Sequence, residues 1–96
     1  MGLGKTIQTI AFVQSAMARI SPVIIVVPLS LLMNWMDEFQ KFAPNIKVAA
    51  FHGTKEERNN QKLLMPNVLI TTFETVLKET EYFESIKWKY LVVDVN

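Results

Sequence analysis

Gly2-Leu3-Gly4-Lys5-Thr6, at the head of a helix-like run, has the residue types and spacing of a phosphate-binding loop. Glycines let backbone N–H groups close on phosphate oxygens, and a helix N-terminus adds its positive dipole. The lysine of such a loop reaches the β- and γ-phosphates, and the hydroxyl ligates Mg²⁺. Gly2, Leu3, Gly4, Lys5 and Thr6 are therefore the expected contacts for the phosphates of ATP, with Thr6 also a metal ligand. The full pattern G-x-x-x-x-G-K-[ST] would place its first glycine ahead of Met1, so a chance glycine-rich start before a helix stays open. Gly2 followed by Thr6 also fits an N-myristoylation pattern, although the phosphate loop explains more of the same residues.

Asp94 ends the apolar run Tyr90-Leu91-Val92-Val93 and has the context of a Walker B acid, which holds Mg²⁺ at the carboxyl end of a strand. An aspartate there is otherwise a turn former; the phosphate loop in the same short chain favours the metal reading. Lys5 and Asp94 are thus the catalytic candidates. A glutamate to orient or deprotonate the attacking water is expected next, yet Val95 and Asn96 follow, and valine has no acid–base chemistry.

Two further strand exits carry polar groups: Pro28-Leu29-Ser30 with Asn34 and Trp35, and Thr71-Thr72-Phe73-Glu74. Hydroxyls and free N–H groups at helix N-termini suit the phosphates of a nucleic-acid backbone. The alternative is that they are helix caps, with Trp35 in the core. His52-Gly53-Thr54 reads as a turn into a capped helix rather than as a catalytic histidine.

The elements that must position these groups alternate between helix-like and strand-like pieces, the signal for parallel βαβ units. Thr6 to Arg19 places Ile7, Ile10, Ala11 and Met17 at helical spacing, widened by Phe12 and Val13. Val23 to Val27 is an unbroken β-branched run, expected to be a central strand covered on both faces. Ser30 is the expected N-cap of a helix burying Leu32, Trp35, Met36, Phe39 and Phe42. Val48 to Phe51 predicts a short strand. Thr54 and Glu57 form a capping-box signature for a polar helix from Lys55 to about Leu64. Val68 to Thr71 predicts another strand, with Thr71 and Glu74 repeating the box ahead of a helix through Leu77. Lys78 to Lys89 reads as a solvated connection from which Tyr82, Phe83 and Trp88 pack inward, before a strand, Tyr90 to Asp94, that is expected to be buried and ends on the acid.

Half of the 96 residues are hydrophobic and a fifth charged, as in a folded α/β core, and the length allows one domain at most. The formal charge of +1 supports no bulk electrostatic case for nucleic acid or membrane. With no cysteine and one histidine, disulfides and thiolate or His-rich metal sites are excluded. The longest strongly apolar run, Pro22 to Met33, is shorter than the roughly 20 residues of a membrane helix. No secretory signal pattern follows Met1, and a soluble protein is expected.

Four blocks in order resemble one family, the Swi/Snf-type chromatin-remodelling ATPases of helicase superfamily 2. MGLGKTIQTI is similar to motif I, VVPLSLLMNWMDEFQKF to motif Ia, VLITTFETVL to motif Ib and WKYLVVD to motif II. FHGTKEER is similar to the lymphoid-specific-helicase-like branch. The resemblance implies that residues 1–96 are part of a first RecA-like ATPase lobe, an α/β P-loop parallel sheet flanked by helices and lacking the strand before the loop. It further implies ATP and Mg²⁺ as cofactors, double-stranded DNA and nucleosomes as the parent protein's partners, and the nucleus as location. By the same resemblance Ser30, Asn34, Thr71 and Thr72 lie near DNA. Family members carry Asp-Glu ahead of motif I and Asp-Glu-Ala-His or similar at motif II, where this chain has Asp94-Val95-Asn96. The second ATPase lobe, with its arginine fingers, has no counterpart in these residues.

The expected function is therefore an ATP-binding piece of a DNA-translocating, chromatin-remodelling ATPase, inactive in hydrolysis by itself. The alternatives are a non-catalytic nucleotide-binding or interaction module, or an inert truncated product. An RNA helicase of the same superfamily fits less well because of Asn34-Trp35. A sheet without the strand before the loop is expected to leave exposed edges, and the free chain to fold marginally.

Overall fold

The computed structural model describes residues 2–16, 22–88 and 90–94, with side chains from residue 5 onward up to residue 15 in the first segment. Val95 and Asn96, and the expected helical stretch from Met17 to Arg19, lie outside the described residues.

Valine, isoleucine and threonine fill the strands, as pleated, buried backbone favours. β1 (Val23–Val26), β2 (Val48–Phe51), β3 (Val68–Thr71) and β4 (Tyr90–Val93) form a wholly parallel sheet in the order β2-β3-β1-β4. β1 and β3 are internal and every residue in them is buried, which bears out the continuous β-branched run as a central strand. Successive side chains leave opposite faces of the sheet. Val23, Ile25 and Val27 join Ile10, Val13, Leu32, Trp35 and Phe39 on one face. Ile24 and Val26 join Phe51, Leu69 and Phe83 on the other.

The first face is covered by α1 (Gly2–Ala16) and α2 (Leu29–Phe42). α1 already includes Gly2, so its helix starts ahead of the expected Thr6. Its buried stripe is Thr6, Ile10 and Val13, spaced i, i+4, i+7, whereas Ile7, Ala11 and Phe12 are exposed. The Phe12 ring instead packs edge-on against Tyr90 at 4.8 Å. α2 buries Leu32, Trp35 and Phe39 as expected, but Phe42 is exposed and lies beneath the Lys41 ammonium, 5.4 Å from the ring centroid. Pro28, not Ser30, occupies the N-cap position of α2, in an extended conformation its ring favours, and Ser30 falls inside the first turn.

α3 (Lys55–Gln61) opens on the expected capping box, with Glu57 N–H donating to Thr54 Oγ1 and Thr54 N–H to Glu57 Oε1. It ends earlier than expected, and the chain then passes through Met65 at a positive φ of 49°. α4 (Phe73–Lys78) is capped by Thr72, whose hydroxyl accepts from Thr75 N–H, rather than by Thr71. The Thr71 hydroxyl is used across the sheet, donating to Phe51 O at 2.8 Å. The interval after Lys78 holds a further helix, α5 (Thr80–Glu84), where a plain connection was expected. Its Phe83 is buried, and Tyr82 and Trp88 pack beside it. The Trp88 indole N–H donates to Phe83 O at 2.9 Å.

β4 and β2 are the edges among the described strands. On β4, Leu91 and Val93 are 65% and 57% exposed, so the strand expected to be buried is open on one face, since no described helix covers that side of the edge. No helix among the described residues is long and apolar enough to cross a membrane.

Candidate functional site

The carboxyl ends of the strands meet where the sequence places its charged and hydroxyl groups. β4 runs beside β1 with Val93 opposite Val26, and Asp94 N–H donates to Val26 O at 2.8 Å just beyond the last pair. The Asp94 backbone is thereby fixed to the centre of the sheet. Its carboxylate is held from above: Trp35 Nε1–H of α2 donates to Asp94 Oδ2 at 3.2 Å. Trp35 is itself 3% exposed and packs against the Phe39 ring at 6.5 Å.

α1 delivers Thr6 to the same place. Because Thr6 heads the helix's inward stripe, it is 7% exposed and faces the sheet and α2. Thr6 and Asp94 line one cavity of about 290 Å³, together with Asn34, Trp35 and Glu38. Asp94 also forms part of a neighbouring cleft of about 530 Å³ that runs past Pro28, Thr72 and Glu74.

A hydroxyl and a carboxylate are hard oxygen donors of the kind Mg²⁺ takes when one or two protein groups, waters and substrate phosphates complete its shell. Among the described residues no group of three or more acidic, His or Cys side chains could hold a metal without such help. The N–H groups in the first turn of α1 have no intrahelical acceptor and are available to an anion. The residues present therefore fit a phosphate-bound Mg²⁺ and not a stand-alone metal centre.

The remaining site candidates are distributed unevenly. Lys5 is exposed and does not line the cavity. Gly2, Leu3 and Gly4 lie in the first turn of α1 rather than in an open loop, and the Leu3 side chain is outside the described set. Ser30 and Asn34 are exposed one turn apart on α2. Thr71 is fully buried, and Thr72 is 4% exposed with its hydroxyl bonded to Thr75 Oγ1 at 2.9 Å. His52 is part of a turn, its backbone exchanging hydrogen bonds of 2.9 and 3.0 Å with the Gln61 side-chain amide. Gly53 next to it has φ +115°, and a Cβ there would collide with the Glu57 carboxylate.

Beside the exposed Asp37, two groups on the cavity were not singled out from sequence. One is the indole N–H of Trp35, read there only as core or a possible ligand contact. The other is Glu38, one turn further along α2, whose Oε1 is buried without a hydrogen-bond partner. The spacing Trp35-x-x-Glu38 put both on one helix face, but nothing local indicated what that face would meet.

The sequence model of the SNF2-related domain matches residues 1–95. The chain belongs to the SNF2-related domain family. This SNF2-related chain is 44% identical over 101 residues to the ATP-dependent helicase brm of Drosophila melanogaster, covering 98% of the chain and 6% of that protein. To the SWI/SNF chromatin-remodeling complex subunit snf22 of Schizosaccharomyces pombe it is 42% identical, with the same coverage. Its fold superposes on the Sulfolobus solfataricus SWI2/SNF2 ATPase core in complex with dsDNA with a TM-score of 0.85 and 41% identity, covering 98% of this chain and 20% of that one. The core domain of the same archaeal ATPase gives 0.82 and 38%, covering 98% and 19%. The SNF2-related chain thus spans between a twentieth and a fifth of the length of these relatives. The α/β fold inferred from sequence is that of the SWI2/SNF2 ATPase core, and the family is one of ATP- and Mg²⁺-using remodelling ATPases. The lymphoid-specific-helicase-like branch is not distinguished by these relatives.

Proposed function

We propose that these residues are the motif I to motif II portion of the first RecA-like lobe of a DNA-dependent ATPase, binding the phosphates of ATP with Mg²⁺ between α1 and the end of β4. The convergence of Thr6 and Asp94, from opposite ends of the chain, on one cavity at the carboxyl edge of the sheet supports this reading. Thr6 and Asp94 hold the cation. The first-turn N–H groups of α1 and the Lys5 ammonium, on its flexible stem, meet the phosphates. ATP and Mg²⁺, when bound, supply the transferable phosphoryl group and the positive charge that screens its oxygens.

The exposed Ser30 and Asn34 make α2 the nearest element to a DNA backbone; Thr71 and Thr72 support it from within, fixing the end of β3 and the start of α4. The archaeal relative was captured on double-stranded DNA, and snf22 is a subunit of a chromatin-remodelling complex. By that likeness the whole protein translocates on double-stranded DNA, remodels nucleosomes and works in the nucleus. These residues alone turn over ATP negligibly, since Val95 stands where the glutamate for the attacking water belongs.

Titration of the purified chain with a fluorescent ATP analogue and Mg²⁺ tests the reading. Saturable binding that is lost in Lys5→Ala is expected; a wild-type chain that never saturates refutes it. DNA-stimulated ATP turnover that disappears in Lys5→Ala would overturn the expectation of negligible hydrolysis.

A further inference from the structure

We infer that Trp35 is a positioning residue for the cation site, its indole N–H setting the rotation of the Asp94 carboxylate and tying it to α2. The inference rests on the nucleotide–Mg²⁺ reading of that cavity and adds a group to it. Indole carries one donor and no acceptor, so a Trp buried to 3% exposure must find a partner for its N–H. Backbone carbonyls serve this need elsewhere in the chain, as Phe83 O does for Trp88. Trp35 is aimed instead at a carboxylate oxygen 59 positions away, at 3.2 Å, in a part-buried setting. Such a bond is charge-assisted and directional.

The division of labour at Asp94 is what gives this bond a role. Its N–H is already fixed to Val26 O at 2.8 Å, so the backbone needs no further support. What the backbone bond leaves open is the side-chain torsion, and Trp35 acts on the carboxylate itself. The ring is immobilised by the core cluster it shares with Leu32 and Phe39, which makes it a rigid reference. A phenylalanine would fill much of that core space without reaching Asp94, so packing alone does not require the N–H. Asn34, the preceding residue, borders the same cavity, and Ser30 lies one turn before it on the exposed side of α2.

Partners that orient a metal ligand from behind are worth about 10- to 100-fold in metal affinity. The test compares the affinity of the whole chain for a fluorescent ATP analogue with Mg²⁺ and with EDTA, in wild type, Trp35→Phe and Leu69→Ala. Trp35→Phe is expected to reduce the Mg²⁺-dependent gain about tenfold or more, with affinity in EDTA unchanged. Leu69→Ala, which opens the core on the other face of the sheet from Trp35, is expected to lower the melting temperature and keep the gain. A wild-type gain in Trp35→Phe overturns the inference.

A second readout needs no nucleotide. In Trp88→Phe the one indole N–H resonance left is that of Trp35, because the chain has two tryptophans. Its chemical shift is expected to move on adding Asp94→Asn, and an unmoved resonance also overturns the inference. A wild-type chain that gains nothing from Mg²⁺ contradicts the cation reading and removes the role of Trp35 with it. The indole shift then shows whether the hydrogen bond exists in the absence of that role.

Discussion

Thr6 and Asp94 line the same cavity, one from the inward stripe of α1 and the other from the end of β4. If the two act on one cation, the Thr6 hydroxyl matters for Mg²⁺ and not for packing. Thr6→Val keeps the volume and removes the oxygen; Thr6→Ser keeps the oxygen. Mg²⁺-dependent affinity for an ATP analogue is expected to fall about tenfold in the first, the scale of a lost group at a metal site, and to stay near wild type in the second. Equal affinities in the two variants would contradict a ligand role.

The ion pairs around Glu79 give the chain an acid limit. Arg58 Nε–H donates to Glu79 Oε2 at 2.7 Å and Lys62 Nζ lies 3.0 Å from Oε1, with the Arg58 and Glu79 side chains each 12% exposed. The hydrogen bond from Arg58, foremost, and that from Lys62 hold the Glu79 carboxyl below its ordinary 4.5, against the opposing effect of burial. A carboxyl with a depressed folded pKa contributes stability above its unfolded value, and loses it as pH falls through the folded one. Thermal unfolding of Glu79→Gln should show a lower melting temperature at pH 7 and a flatter decline below about pH 4.5 than wild type. The loss at neutral pH should lie between the roughly 1 kcal/mol of an exposed pair and the roughly 3 kcal/mol of a buried one. Parallel acid limbs in the two proteins would count against it.

Met65 is 82% exposed and adopts φ 49°, a conformation that costs a side chain with a Cβ about 1 kcal/mol. Replacing it by glycine removes that cost without disturbing the core. Met65→Gly should raise stability by up to about 1 kcal/mol in urea unfolding, less the entropy that glycine adds to the unfolded chain. A destabilised variant would show that the side chain makes contacts its exposure does not suggest.

β4 is an edge among the described strands, with Leu91 and Val93 exposed on it. Such an edge templates pairing with another chain, and inward or edge lysines suppress it. Leu91→Lys with Val93→Lys is expected to reduce concentration-dependent self-association in sedimentation velocity. Unchanged association would place the contact elsewhere.

The strands from Val23 and Val68 were legible because their runs are continuous and apolar, as internal strands of a covered sheet require, whereas the equally apolar run from Tyr90 reads as buried and is half open at an edge. The Thr54 capping box was legible because both partners lie within four residues. Thr71 and Thr72 show where local reading ends. Two adjacent threonines are equivalent as caps, and the choice is made by Phe51 O, a carbonyl on a neighbouring strand that claims the Thr71 hydroxyl. α5 escaped notice because its five residues carry no helical stripe of their own and are stabilised by the ring cluster of Phe51, Phe83 and Trp88. At the site, Thr6 and Asp94 are proposed from residue type and context, and the fold brings them to one cavity. The Trp35–Asp94 hydrogen bond was not, since a contact across 59 positions leaves no local pattern.

The central claim is that α1 and the end of β4 build one nucleotide–cation site. Paramagnetic broadening by Mn²⁺, substituted for Mg²⁺ with ADP on isotopically labelled chain, tests it most directly. The account expects the backbone resonances of Thr6 and Asp94 to broaden first and together, with those of Leu64 and Met65, ahead of the amino end of β3, unaffected. Broadening confined to surface carboxylates, with Thr6 and Asp94 sharp, would contradict it.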